Sequence, residues 1–431
     1  MKRSITLLAL VLLLSLIGCK EKQPSPEQNG SNSKAISEEN LPIQLSDPRN
    51  IATCVYLTKD AEGTPYISWV ETDSLQQKHF FFARFDEEGK EFGEKREIPI
   101  EQNAALHEEG MPKLAVKGNG DLFALYETST PSEGQRFGLA DLRYLQSLDG
   151  GSSWSAPKSV APEALAKSKS SGFAGLGRLG DGEIGIIWLG SADGPGTDGR
   201  PVKFARTKPD GSIGESLVID PGTCQCCRTA VTAGENGEVY VAYRNLLPGS
   251  IRDISMATSI DTGKSFQKPV SFSNDQWKVE GCPHNGPSLV AQGTQINATW
   301  FTDADTHRGV NYAILTPDGT VKKRYNLSST AQFIQNDFLV DGTPVMAYNE
   351  SYNDGGSYYS RIVVARLKGE DVLKAEITPK GSNAFFPVVT GLNAEELLVG
   401  WREGEGIMYK VVEVAQIDVP EPVLQKISFN E

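Results

Sequence analysis

The chain has 431 residues and is acidic, with 42 Lys and Arg against 55 Asp and Glu for a net charge of −13. That balance argues against nucleic acid or an anionic lipid surface as a general partner, while leaving room for a local arginine cluster that holds an anion. No stretch keeps a 3.6-residue apolar period, so helical architectures are excluded and an all-β chain is expected.

In chain order, Lys2 and Arg3 precede an apolar run from Ile5 to Ile17 that ends in Leu16-Ile17-Gly18-Cys19. The run is shorter than the roughly 20 residues a membrane span needs, so residues 1–18 read as a signal peptide. Leu-Ile-Gly-Cys resembles the bacterial lipobox, which implies diacylation of Cys19, export, and an N-terminal lipid as the link to a membrane. Lys20 in place of Asp implies sorting to the outer membrane, facing the periplasm or the cell surface. Residues 19–40 are polar and rich in Pro, Gly and Ser, and are expected to form a disordered tether. Residues 41–418 are then one domain and 419–431 a C-terminal tail.

Within 41–418 an internal repeat is visible. Each unit has an alternating strand, a Gly-containing turn and a second strand closing on an aromatic: Trp69, Tyr126, Trp188, Tyr243, Trp300, Tyr348 and Trp401, 48 to 62 residues apart. A third strand follows each pair, as in His79–Asp86, Leu142–Asp149 and Ile254–Asp261, then a turn and a short fourth strand. Four antiparallel strands at this period predict a β-propeller. Seven blades are expected, with 41–46 supplying the strand that the last unit lacks. Six blades, with one unit as an insertion, is the alternative.

Two turns after third strands share a pattern, Ser147-x-Asp149-x-Gly151-x-x-Trp154 and Ser259-x-Asp261-x-Gly263-x-x-Phe266. Ser and Asp oxygens suit turn N–H groups, Gly suits a positive φ, and the aromatic packs between strands. The Asp210-Gly211 and Asp318-Gly319 turns look like degenerate copies. The two motifs resemble the Asp boxes of the sialidase superfamily, also known as BNR-repeat proteins.

The resemblance implies a sialidase-like propeller with a glycan or other small anionic ligand at the channel mouth and, if the chain is an enzyme, exo-sialidase-type glycoside hydrolysis. It maps three carboxylate-binding arginines onto Arg49, Arg244 and Arg308, and the acid/base Asp onto Asp73. The position of the activating Glu carries Arg228 and that of the nucleophilic Tyr carries Phe386, with Tyr352, Tyr358 and Tyr359 nearby. An anionic sugar disfavours a carboxylate nucleophile, which is why that chemistry needs the Tyr–Glu pair. Arg252, also on this face, is expected to brace Asp253.

Six Cys remain to be placed. Cys19 is the lipidation site, and Cys54 reads as a buried thiol in the first inner strand. Cys224-Gln225-Cys226-Cys227-Arg228 and Gly281-Cys282-Pro283-His284 precede the fourth and fifth units. In a propeller the starts of adjacent inner strands meet at one rim, so these four Cys and His284 should be neighbours. His107 lies on the same rim, farther round the ring. Three chemistries stay open: two disulfides pinning adjacent blades, with Cys226 and Cys227 pointing opposite ways on an extended segment; a zinc or copper site; and a reactive thiol pair. Arg228, Arg244, Arg252, Arg308 and His284 are the candidate ligand-binding residues. A monomer is expected.

Overall fold

A computed structural model of the chain describes residues 41–133, 138–191, 199–417, 419–420 and 426–427. The expected signal peptide, the lipid-bearing Cys19 and the tether lie outside the described residues.

The strands form seven antiparallel sheets, each a meander built from the inside outwards, and together they are a seven-bladed β-propeller. The inner strands are Ile51–Lys59, Lys113–Val116, Gly172–Arg178, Ala230–Ala233, Ser288–Gln292, Ala331–Phe338 and Ala384–Gly391. The ring closes as 41–46 predicted: Ile43–Gln44 pairs with Gly406–Glu413 and becomes the outer strand of the seventh blade. Val419–Pro420 and Lys426–Ile427 extend the outer edges of the sixth and fifth blades.

Hydrophobic burial is concentrated between blades. One core joins blades one and two through Val70, Phe80, Leu114 and Leu145. Others join two to three, three to four, four to five, five to six, and six to seven. Val55 and Val388 help to seal seven against one. Every closing aromatic lies in such a core, at most 1% exposed. A buried ring still needs a partner for its polar tip. Trp69 donates to Glu71 (2.8 Å), Trp300 to Asp275 (2.8 Å), Trp401 to Glu403 (3.0 Å), Tyr126 to Glu101 (2.8 Å) and Tyr243 to Asp220 (2.9 Å). Truncating one of these rings costs about 3–5 kcal/mol.

Both Asp boxes close in the same way. The Ser147 hydroxyl donates to Asp149 (2.7 Å) and accepts the Gly151 N–H (2.8 Å), while Asp149 accepts the Ser153 N–H (2.9 Å). Ser259, Asp261, Gly263 and Ser265 repeat this at 2.7, 2.9 and 2.9 Å. Trp154 then meets Phe82 of the first blade, and Phe266 meets Phe204 of the third. The boxes sit on the face opposite the channel mouth.

Candidate functional site at the channel mouth

The mouth is the rim where the inner strands begin. Four of them start with a bulge rather than a regular ladder: the register slips at Thr53/Tyr56, Gly172/Gly175, Gln332/Gln335 and Phe385/Val388. Each slip holds a non-glycine residue in the left-handed region, Cys54 (φ 62°), Phe173 (57°), Phe333 (54°) and Phe386 (54°), and His284 joins them at 49°. Such backbone costs about 1–3 kcal/mol per residue and persists only where the surroundings hold it. Cys54 is buried as expected, but at a bulge rather than in regular alternation. Its N–H donates to Glu108 (3.3 Å), and burial pushes its thiol well above the ordinary range.

The sulfur atoms converge. Cys224, Cys226 and Cys227 are all buried, and their Sγ atoms lie within 4.8 Å of one another. The Cys224–Cys227 separation is 3.8 Å. The expectation that Cys226 and Cys227 point opposite ways does not hold. The strand Leu217–Thr223 ends before Cys224 and the chain bends at Gln225-Cys226, which turns all three thiols to one side. Cys226 also lies within 4.8 Å of Cys282 Sγ and a ring nitrogen of His284. None of the described cysteines is in a disulfide. Phe173 packs over the buried thiols. His107 is closer than expected: its ring is 5.1 Å from that of His284 and edge-on to Phe173 at 5.7 Å. Burial, then the charge of His284, lowers the His107 pKa.

Cys224 is pulled far below the ordinary thiol range, first by hydrogen bonds from Cys226 and Cys227 and further by the Arg244 and Arg252 guanidinium groups. Cys226 and Cys227 are pushed up, Cys226 chiefly by its bond to Cys224 and Cys227 chiefly by burial. The three thiols therefore titrate as one coupled group rather than separately. The Nε–H donors of Arg228, Arg244 and Arg252 are buried without a partner among the described residues. Arg244 and Arg252 are the two of these cations that act on the Cys224 sulfur, and their unpaired donors favour negative charge beside it.

The remaining donors of Arg228 and Arg244 are already committed. Arg244 donates to the carbonyls of Arg252 (2.7 Å), Asn285 (2.8 Å) and Phe301 (2.7 Å), and its guanidinium stacks 4.9 Å from the Trp277 ring. Arg228 is ion-paired with Glu109 at 3.0 Å. Glu109, on the rim of blade two, also accepts the N–H of Arg228 (2.9 Å) and of Gly286 (2.7 Å), so one buried carboxylate ties three blades together. Gly286 is required there, since a Cβ would stand 2.3 Å from the Arg228 carbonyl oxygen. The sequence singles out His107 on this rim but not Glu109, two residues on.

Other expected site residues lie elsewhere. Arg49 is 86% exposed and paired with Asp47, its neighbour two residues back. Asp73 shapes its own turn by accepting the N–H groups of Leu75 and Gln77, and it faces His79. Arg252 does not brace Asp253. Asp253 accepts the N–H groups of Gln276 and Trp277, because the segment packed beneath it offers those donors first. Arg308 pairs with Asp303 (2.9 Å) and lines a cleft of about 730 Å³ between the fifth and sixth blades, with Tyr352, Tyr358, Glu350 and Arg361. Phe386 holds the position that the resemblance assigns to a nucleophile, and its ring packs on Phe333 at 4.5 Å. The mouth thus gathers Cys224, Cys226, Cys227, Cys282, His284, His107, Arg228, Arg244 and Arg252, and not Arg49, Asp73 or Arg308.

No protein-family model matches the sequence, and no curated protein matches it. Among solved structures the chain is similar to a leech intramolecular trans-sialidase, with a TM-score of 0.51 and 10% identity over 89% of this chain and 71% of that one. It is also similar to a protein of unknown function from Dyadobacter fermentans (TM-score 0.49, 14% identity, 76% and 96% covered) and to an α-L-arabinanase from Penicillium chrysogenum (0.47, 13%, 88% and 98%). At these identities the likeness is one of fold.

Proposed function

We propose that this chain is an exported, lipid-anchored propeller that captures a thiophilic metal ion, copper or zinc, at its channel mouth. One observation carries the reading: three buried sulfurs from a single bent segment, two of them 3.8 Å apart. Thiolates bound to one ion at about 2.3 Å in tetrahedral directions stand about 3.8 Å apart, whereas a disulfide needs about 2.05 Å. Soft sulfur ligands select copper(I) and zinc over harder ions.

The test is metal content after loading the reduced, detergent-solubilised chain with copper(I) or zinc and removing excess. At least one ion per chain is expected, lost on Cys226→Ser and retained on Cys54→Ser. A reduced chain that takes up neither ion overturns the reading. The anchor is tested separately: Cys19→Ala should abolish incorporation of labelled fatty acid and move the protein to the soluble fraction.

A second reading, an anionic glycan, is favoured by the cleft that Arg308, Arg361, Tyr352 and Tyr358 line. Arg308 and Arg361, beside the exposed Tyr358 and the half-buried Tyr352, are the groups that would hold an acidic sugar in exchange for their carboxylate partners. Binding of a sialoside that Arg308→Ala weakens, with metal content unchanged, would support it. Turnover of that sialoside would extend it to hydrolysis.

A further inference from the structure

The cluster falls into two overlapping ligand sets. Cys224, Cys226 and Cys227 form one, fully buried; Cys226, Cys282 and His284 form the other, with Cys282 and His284 exposed. Within each set all ligand atoms are within 4.8 Å of one another, and Cys226 belongs to both. A thiolate has lone pairs enough to bridge two soft ions.

Resting on the metal-capture reading, we infer that the mouth takes two copper(I) ions, an inner one and an outer one, bridged by the Cys226 sulfur. Ligand number distinguishes the metal. Each set supplies three donors, which suits a three-coordinate monovalent ion, whereas a structural zinc site wants four. The inner set is walled by Phe173 and buried from solvent, so water is a poor fourth ligand there. Charge agrees with this choice. Four thiolates and two monovalent cations leave about −2, a charge that the neighbouring Arg244 and Arg252 guanidinium groups offset.

The outer set also explains the backbone of His284. A left-handed His on an exposed loop is uncommon. At φ 49° it brings its ring to Cys226 and Cys282 and against His107. The two sets differ in access, so the outer position exchanges ions with solvent and the inner one receives them across the shared sulfur.

The test is an anaerobic titration of the reduced full chain with copper(I) supplied as its bicinchoninate complex, reading bound copper per chain. Two equivalents are expected, falling to one in Cys282→Ser and in His284→Gly, a change that keeps the left-handed backbone accessible. X-ray absorption of the two-copper form should contain a copper–copper shell that both variants lose. A wild-type chain that stops at one equivalent, or a Cys282→Ser chain that still binds two, overturns the shared-sulfur inference and leaves metal capture standing. No bound copper, with no zinc bound in its place, overturns both. Circular dichroism confirms that each variant is folded; both altered residues are exposed.

Discussion

The two faces of the propeller solve the same problem in opposite ways. On the Asp-box face each turn ties its Ser, Asp and backbone groups together within a few residues, Ser147 with Asp149 and Ser259 with Asp261, leaving only the Trp154 Nε–H without a described partner and Thr262 in left-handed backbone. At the mouth the polar groups are satisfied across blades or left unsatisfied. Glu109 reaches from the second blade to the fourth and fifth, three arginine Nε–H groups have no described partner, and five residues sit in left-handed backbone. The first face is built for stability by local rules. The second carries strain and unmet polarity, the usual marks of a functional surface.

That contrast can be tested by substitutions that ought to act on one face only. The largest effect is expected from Glu109→Ala, which leaves the buried Arg228 guanidinium without its partner. It should cost about 3–5 kcal/mol in urea unfolding and reduce metal loading as well. Gly286→Ala comes next, because its Cβ meets the Arg228 carbonyl. A loss of about 1–3 kcal/mol is expected, with weaker metal retention. Ser147→Ala should cost about 1 kcal/mol and leave metal content untouched. Metal loss in Ser147→Ala would erase the distinction between the faces.

The smallest effect is electrostatic. Asp149 is held at about 2 chiefly by its bond from the Ser153 hydroxyl, and Asp261 at about 2 by that from Ser265. These folded values lie below the unfolded one of about 3.9. Their contribution is therefore full above pH 4 and disappears as pH falls from about 4 through 2. Thermal midpoints measured across that window should fall less in a variant carrying both Asp149→Asn and Asp261→Asn.

What was legible in the sequence follows the same division. The blade repeat, the seven buried aromatics, the closing strand at 41–46 and both Asp boxes depend on periodicity or on contacts a few residues apart, and patterns of that kind can be read directly. Meeting of the four Cys and His284 was also legible, since the ring topology brings adjacent inner strands to one rim. The bend at Gln225-Cys226 was not, because nothing in Cys-Gln-Cys-Cys distinguishes a turn from a strand. Nor was the use of Arg244 against carbonyls at Asn285 and Phe301, 41 and 57 residues away. Arg244 matched a carboxylate-binding position, yet a buried arginine takes whichever acceptors the fold presents, and here they are backbone. His107 was placed too far round because a ring this narrow brings blades two and five closer than their order suggests.

The outer strand of the seventh blade has a consequence for biogenesis. Ile43–Gln44 is among the earliest propeller segments to be synthesised, yet its partner, Gly406–Glu413, arrives more than 360 residues later. Until then the circle stays open and the first strand lacks its ladder partner. A ring whose clasp joins segments so far apart closes last, after the intervening blades have formed their local hairpins, so its assembly carries one very long-range contact.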